Sequence, residues 1–221
     1  MHDMDFAEAR RFMMLCQLKP SGVSDPRVLS AMGEIPRERF IPPAAAARAY
    51  ADAPVPLPKG RSMAAPLTIA RLVQLANVRR DDRVLVLSAG TGFGAALLAA
   101  LGAKVIAVEE DPALVAIART ALPAATDPGA VQLIQAAPAA GHASGAPYDV
   151  ILIEGAVTDV PRAVEEQLAE GGCLVTILAS EGGSGRAVLV RRAGESFTAV
   201  PAFDAPSSAA AGFAPALAFA F

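Results

Sequence analysis

From Asp82 onward the chain alternates short, continuous apolar runs with helical patterns, and this alternation restricts the possible folds more than any other feature. The runs are "RVLVLSA", "KVIAV", "VQLIQ", "YDVILIE" and "CLVTIL". Apolar runs without polar alternation suit strands buried on both faces, as in a parallel sheet covered by helices. Between them lie "ALLAAL" up to Gly102, "PALVAIARTAL" opened by Pro112, and "VPRAVEEQLAEGG" closed by Gly171 and Gly172. Each of these is expected to be a helix. Strands alternating with helices predict an α/β fold with a doubly wound, mostly parallel sheet. The last segments, "RAVLVRR", "SFTAV" and "FAPALAFAF", follow without helices between them. The sheet is therefore expected to finish in antiparallel strands.

The first eighty residues read differently. Residues 6–19 carry Phe6, Met13, Met14 and Leu18 near helical spacing and stop at Pro20-Ser21-Gly22. A second helix starts at Pro26, capped by Asp25. "PRERFIPP" is expected to be an extended connector. "ADAPVPLPKGR" (51–61) holds three prolines and a glycine and is expected to be irregular. A third helix follows over 66–77. The expected organisation is a helical N-terminal extension over 1–80, packed on a nucleotide-binding core over 81–221 as one unit.

Charge and residue usage exclude several classes of function. A net charge of −3, with Arg-Arg pairs scattered along the chain, argues against binding driven by neutralising phosphates, so no nucleic-acid partner is expected. His2, His142, Cys16 and Cys173 have no metal-ligand spacing, so no metal is expected, and the two cysteines read as reduced, buried thiols. The acidic start "MHDMDFAEARRFMM" lacks an apolar core run, and no membrane span is evident. A cytoplasmic protein is expected.

The loop "LSAGTGFGAA" carries the chemistry. Gly90, Gly92 and Ala95 match a G-x-G-x-x-G/A spacing, and Glu109 follows about twenty residues on, where a ribose-binding acid is expected. Glycines let the backbone approach a ligand, and the carboxylate accepts hydrogen bonds from ribose hydroxyls. By itself the loop leaves three readings open: a dinucleotide, S-adenosylmethionine, or a strand-to-helix turn with no ligand. The nicotinamide reading rests on spacing alone, with no Tyr–Lys pair or similar hydride-site group. "YDVILIEGA", "EEQLAEGGCLVTIL" and the antiparallel finish resemble the way class I methyltransferases end, and that resemblance favours S-adenosylmethionine.

Five segments carry a more specific likeness: "DPRVLSAMGEIPRERFIPP", "YADAPVPLPKG", "DRVLVLSAGTGFGAALLA", "APYDVILIEGA" and "EEQLAEGGCLV". Through them the chain resembles the protein-L-isoaspartate O-methyltransferases along nearly its full length. The resemblance implies a Rossmann-like methyltransferase sheet, S-adenosylmethionine as cofactor and no metal. It also implies methylation of isoaspartyl carboxylates in damaged proteins, a protein-repair activity whose ester collapses to a succinimide. Ser88, Gly90, Gly92, Glu109, Glu110 and Glu154 would then be cofactor-binding residues.

The departures from the family pattern fall at its contact positions. Counted back from Pro66, the family's carboxylate-binding serine corresponds to Ala64, and its threonine to Ser62, which keeps a hydroxyl as the candidate substrate contact. Val86 stands where the first strand normally ends in an acid, Ser88 where the loop has its first glycine, and Ala136-Ala137 where an aspartate normally sits near the adenine. Serine at 88 is harmless if its backbone has a negative φ and costly if φ is positive. Glu154 replaces a neutral residue and reads either as a partner for the cofactor's sulfonium or amino group, or as a solvated loop carboxylate. An alternative follows for the whole chain: a catalytically inactive methyltransferase-fold module acting through partner binding.

Overall fold

The computed structural model describes residues 5–179, 185–206 and 208–213. Its centre is a seven-stranded sheet. In chain order the strands are β3 (Arg83–Leu87), β4 (Lys104–Glu109), β5 (Val131–Gln135), β6 (Tyr148–Val157), β7 (Leu168–Ala179), β8 (Gly185–Ala193) and β9 (Ser196–Asp204). Two-residue strands β1 (Val55–Pro56) and β2 (Ser62–Met63) form a separate antiparallel pair. The spatial order of the main sheet is β5-β4-β3-β6-β7-β8-β9. The first five strands run parallel, and β8 and β9 add antiparallel hairpins at one edge. From β3 the chain winds out through β4 to β5, then returns to the other side of β3 as β6. The crevice at the carboxyl ends of β3 and β6 is therefore the switch point, where ligands of such sheets bind.

The apolar strand runs are buried as expected, and alternate residues supply two faces. Val84, Val86, Val105, Ala107, Val150, Leu152 and Val175 join one cluster with the helices α3 (Pro66–Ala76), α4 (Phe93–Ala100) and α5 (Pro112–Ala121). The same cluster takes in Met13, Leu18, Val28, Met32 and Phe40, so the N-terminal segment and the sheet share a core. Leu85, Leu87, Ile151, Ile153 and Leu174 face the other way. They are covered by Val164 of the one-turn helix α6 (Arg162–Glu165), by Tyr148 and by Phe213.

At the N-terminus α1 (Phe6–Phe12) runs on as a π-helical stretch over Met13–Leu18, and α2 (Pro26–Glu34) is capped by the Asp25 carboxylate, which accepts from the Arg27 amide. Three expectations need correction. "PRERFIPP" is not extended: Arg37–Phe40 and Pro43–Arg48 coil into 3-10 turns, because both Arg37 and Phe40 are drawn into the interior. Phe40 meets Phe93 edge-on with centroids 5.5 Å apart. The helix expected up to Gly172 ends after one turn, because Leu168 already pairs with Tyr148 and β7 has begun. Cys173 is buried, but Cys16 is exposed, on the outer side of the stretch whose Met13 and Leu18 face the core. In the last antiparallel segment, "FAPALAFAF", all but Phe213 lies outside the described residues. Among the described residues no helix is long and apolar enough to cross a membrane.

β6 is interrupted where it reaches the crevice. Its pairing with β7 slips between Leu152 and Ala156, and Gly155 sits at φ +117. Residues 208–213 then cross this end of the sheet: Ala156 bridges Ala209, its amide donates to Ser208 O at 2.8 Å, and its carbonyl accepts from the Ala210 amide at 2.8 Å. A Cβ on Gly155 would come within 2.7 Å of the Ala210 Cα. Gly155→Ala is therefore expected to lose about 1–3 kcal/mol in urea denaturation, from strain at positive φ and displacement of the crossing segment.

Candidate functional site

Four groups meet at the crevice: the turn after β3, the end of β4, the interrupted end of β6, and the 54–63 segment folded over them. A cleft with about 40 Å³ of free space, room for little more than a water or two, lies between them. Its walls include Arg61, Ser62, Ala64, Ser88, Gly90, Thr91, Phe93, Glu154 and Ser208.

The turn after β3 is built on left-handed backbone. Gly90 (φ +57) and Gly92 (φ +89) adopt it freely, and Gly92 also packs where a Cβ would come within 3.2 Å of Leu122. Ser88 shares it at φ +53, the positive value that disfavours serine. Its hydroxyl donates to Ala211 O at 2.7 Å, and the residue is buried. The chain thus offsets the backbone cost by tying the turn to the segment crossing above it.

Glu109, at the carboxyl end of β4, is fully buried and accepts five hydrogen bonds. Three come from the amides of Gly90 (2.7 Å), Glu110 (3.1 Å) and Asp111 (3.0 Å). The other two come from Arg61, whose Nη1 and Nη2 donate to Oε1 and Oε2 at 3.1 and 3.2 Å. A carboxylate has roughly four lone-pair directions, so this one is saturated. Glu110 contributes its amide, while its side chain is exposed and does not line the cleft.

Glu154 is the opposite case. It is not the solvated loop carboxylate that was one reading of it: Oε1 is buried with no hydrogen-bond partner, and the group lines the cleft. It packs against the bare Cα of Gly94, where any Cβ would collide with the carboxyl group. Burial, reinforced by the nearby charge of Glu109 and partly offset by Arg37 and Arg61, pushes its pKa up to about 8. Arg37 lies behind it, 1 % exposed, donating to Ala49 O (2.7 Å) and to Ala64 O, with its Cζ 4.8 Å from the Phe93 ring centroid and Nη1 unpartnered. Burial lowers the Arg37 pKa to about 10.

Ser62, Ser88, Gly90 and Glu154 thus come together around one cleft, with Glu109 behind Arg61. Gly92 shapes the turn without lining the cleft, Val86 is buried within β3, and Ala136 and Ala137 are exposed beyond β5. Ser62 Oγ lies 2.6 Å from Ser208 Oγ. Sequence reasoning missed Arg61, Arg37 and the 208–211 crossing. The one available signal was a cation, Arg61, set directly before Ser62 at the end of the proline-rich stretch.

A parallel sheet with this switch point, a left-handed glycine turn after its central strand and a buried acid ending the neighbouring strand define a Rossmann-like methyltransferase fold. A family model described as protein-L-isoaspartate(D-aspartate) O-methyltransferase matches residues 9–200. A protein-L-isoaspartate O-methyltransferase of Methylorubrum populi is 40% identical over 189 residues, 86% of this chain and 88% of that protein. One from Koribacter versatilis is 42% identical over 170 residues, covering 77% and 76%. A Plasmodium falciparum structure described under the same activity, in complex with S-adenosyl-L-homocysteine, superposes with a TM-score of 0.76 at 16% identity, covering 95% of this chain and all of that one. The chain belongs to the protein-L-isoaspartate O-methyltransferase family.

The state of Glu154 can be read from stability. Its folded pKa lies above the ordinary 4.5, so between those values the folded chain keeps a proton that the unfolded chain gives up. Stability from this group therefore falls as pH rises from about 5 to 8. Glu154→Gln removes that dependence: its melting temperature relative to the parent is expected to be higher at pH 8 than at pH 5. An equal pH slope in the two proteins would mean an ionised Glu154 paired with Arg37.

Proposed function

We propose that this protein is an S-adenosylmethionine-dependent methyltransferase acting on the carboxylates of isoaspartyl residues in damaged proteins. The observation that carries the reading is the placement of Glu109 beside the Gly90 turn at the switch point, in a chain of this family. The residue types fit the cofactor. Glu109 would take the ribose hydroxyls, the Ser88–Gly92 turn would lie along the ligand, and the unpartnered Glu154 would face its cationic end. When bound, that cofactor supplies an electrophilic methyl group. A carboxylate is already a nucleophile at neutral pH, so the chain's own task is to hold the two reactants in line and keep water out.

Recognition of the substrate carboxylate is where this chain is weakest. Ala64 has no hydroxyl, and its carbonyl is used by Arg37. Ser62 keeps a hydroxyl at the cleft. Without the extra charge-assisted donor, roughly 1.5–3 kcal/mol of carboxylate binding is lost, or about one to two decades in rate. A second reading, an inactive module that keeps the fold for a partner, draws on the Arg61–Glu109 pair and on Ser88 at positive φ.

Calorimetric titration with S-adenosylmethionine, followed by methyl transfer to an isoaspartyl peptide, separates the two. Micromolar binding with slow transfer is the expected result; no binding by the folded protein at millimolar ligand favours the module. Ala64→Ser is expected to raise kcat/KM for the peptide about tenfold while leaving cofactor affinity unchanged.

A further inference from the structure

We propose that Arg61 and the cofactor's ribose compete for Glu109, so that cofactor binding must displace the chain's own guanidinium. The inference rests on the methyltransferase reading above and names the residue that sets its cofactor affinity. The edge of a guanidinium presents two parallel donors to a carboxylate, one per oxygen. A vicinal diol presents two hydroxyl donors to the same pair of oxygens. At Glu109 the three amide bonds from Gly90, Glu110 and Asp111 are local and stay with the turn and the strand end. The two bonds from Arg61 come from a different segment, 48 residues away in sequence, and go one to each carboxylate oxygen. Both diol and guanidinium cannot be held at once.

Release of Arg61 is a side-chain movement, because its backbone is held. It follows a short turn over Pro58–Gly60, where Lys59 (φ +57) and Gly60 (φ +70) are left-handed; its carbonyl accepts from the Leu57 amide at 2.8 Å and its amide donates to Pro58 O at 3.2 Å, beside the pairs Val55–Met63 and Pro56–Ser62. The Arg61 side chain is 16% exposed while Glu109 is sealed, so the pair opens from the arginine side. Displacing it costs a buried ion pair, and this cost is subtracted from cofactor affinity.

The test is calorimetry with S-adenosylhomocysteine on the parent, Arg61→Gln and Arg61→Met, each checked for a cooperative melt. Both variants are expected to bind at least tenfold more tightly than the parent. The gain should appear with adenosine and vanish with 2′,3′-dideoxyadenosine, which lacks the diol. A merely supporting role for Arg61 predicts the reverse: a lower melting temperature and weaker binding in both variants. Equal or weaker binding by folded variants, with the parent binding normally, overturns the competition and leaves the methyltransferase reading standing. No binding by any of the three at millimolar ligand overturns both.

Discussion

A carboxylate shut away from water must be met by donors, and the crevice of this protein is organised around meeting one. Glu109 gathers the end of β4, the turn after β3 and the 54–63 segment onto a single charge. The same charge adds to the effect of burial on its neighbour. Glu154 faces burial first and the nearby charge of Glu109 second, and together they raise its pKa to about 8. The two glutamates, on the strands that flank β3, are met in opposite ways, one saturated with hydrogen bonds and the other left with a bare oxygen.

The departures from the family pattern have acquired structural partners in this chain. Ser88 accepts an unfavourable φ and ties its hydroxyl to Ala211. Ala64 gives its carbonyl to the buried Arg37. Ser62 is tied to Ser208, next to Arg61, which takes the acid at the end of β4. Polar groups that could turn toward a ligand are turned toward one another, which is how a small, nearly closed cleft arises at the switch point.

Much of the sheet was legible because a strand buried on both faces needs an uninterrupted apolar run, and β3, β4, β6 and β7 have one. The glycine turn and Glu109 were legible because their spacing follows from strand–turn–helix geometry. "PRERFIPP" was misread for lack of a local signal: Arg37 and Phe40 coil inward to reach partners at Ala49, Ala64 and Phe93, which no nearby periodicity announces. The helix before β7 was misread because its pattern continues through "EEQLAEGG" while strand pairing at Leu168 claims the residues first. Arg61 could be seen as a cation but not as a partner of Glu109, since that pairing exists only after the 54–63 segment folds over the sheet.

Ser62 and Ser208 are 146 residues apart in the chain, and Ser88 and Ala211 are 123 apart. Contacts of that span gain nothing until the chain between them is already ordered, because the loop-closure entropy must be met first. The parallel core can form from neighbouring strand–helix units without them. The crevice is therefore the last part of the molecule to assemble and the first to open under mild denaturant, with proteases and exchanging deuterons reaching its walls while the sheet beneath is still intact.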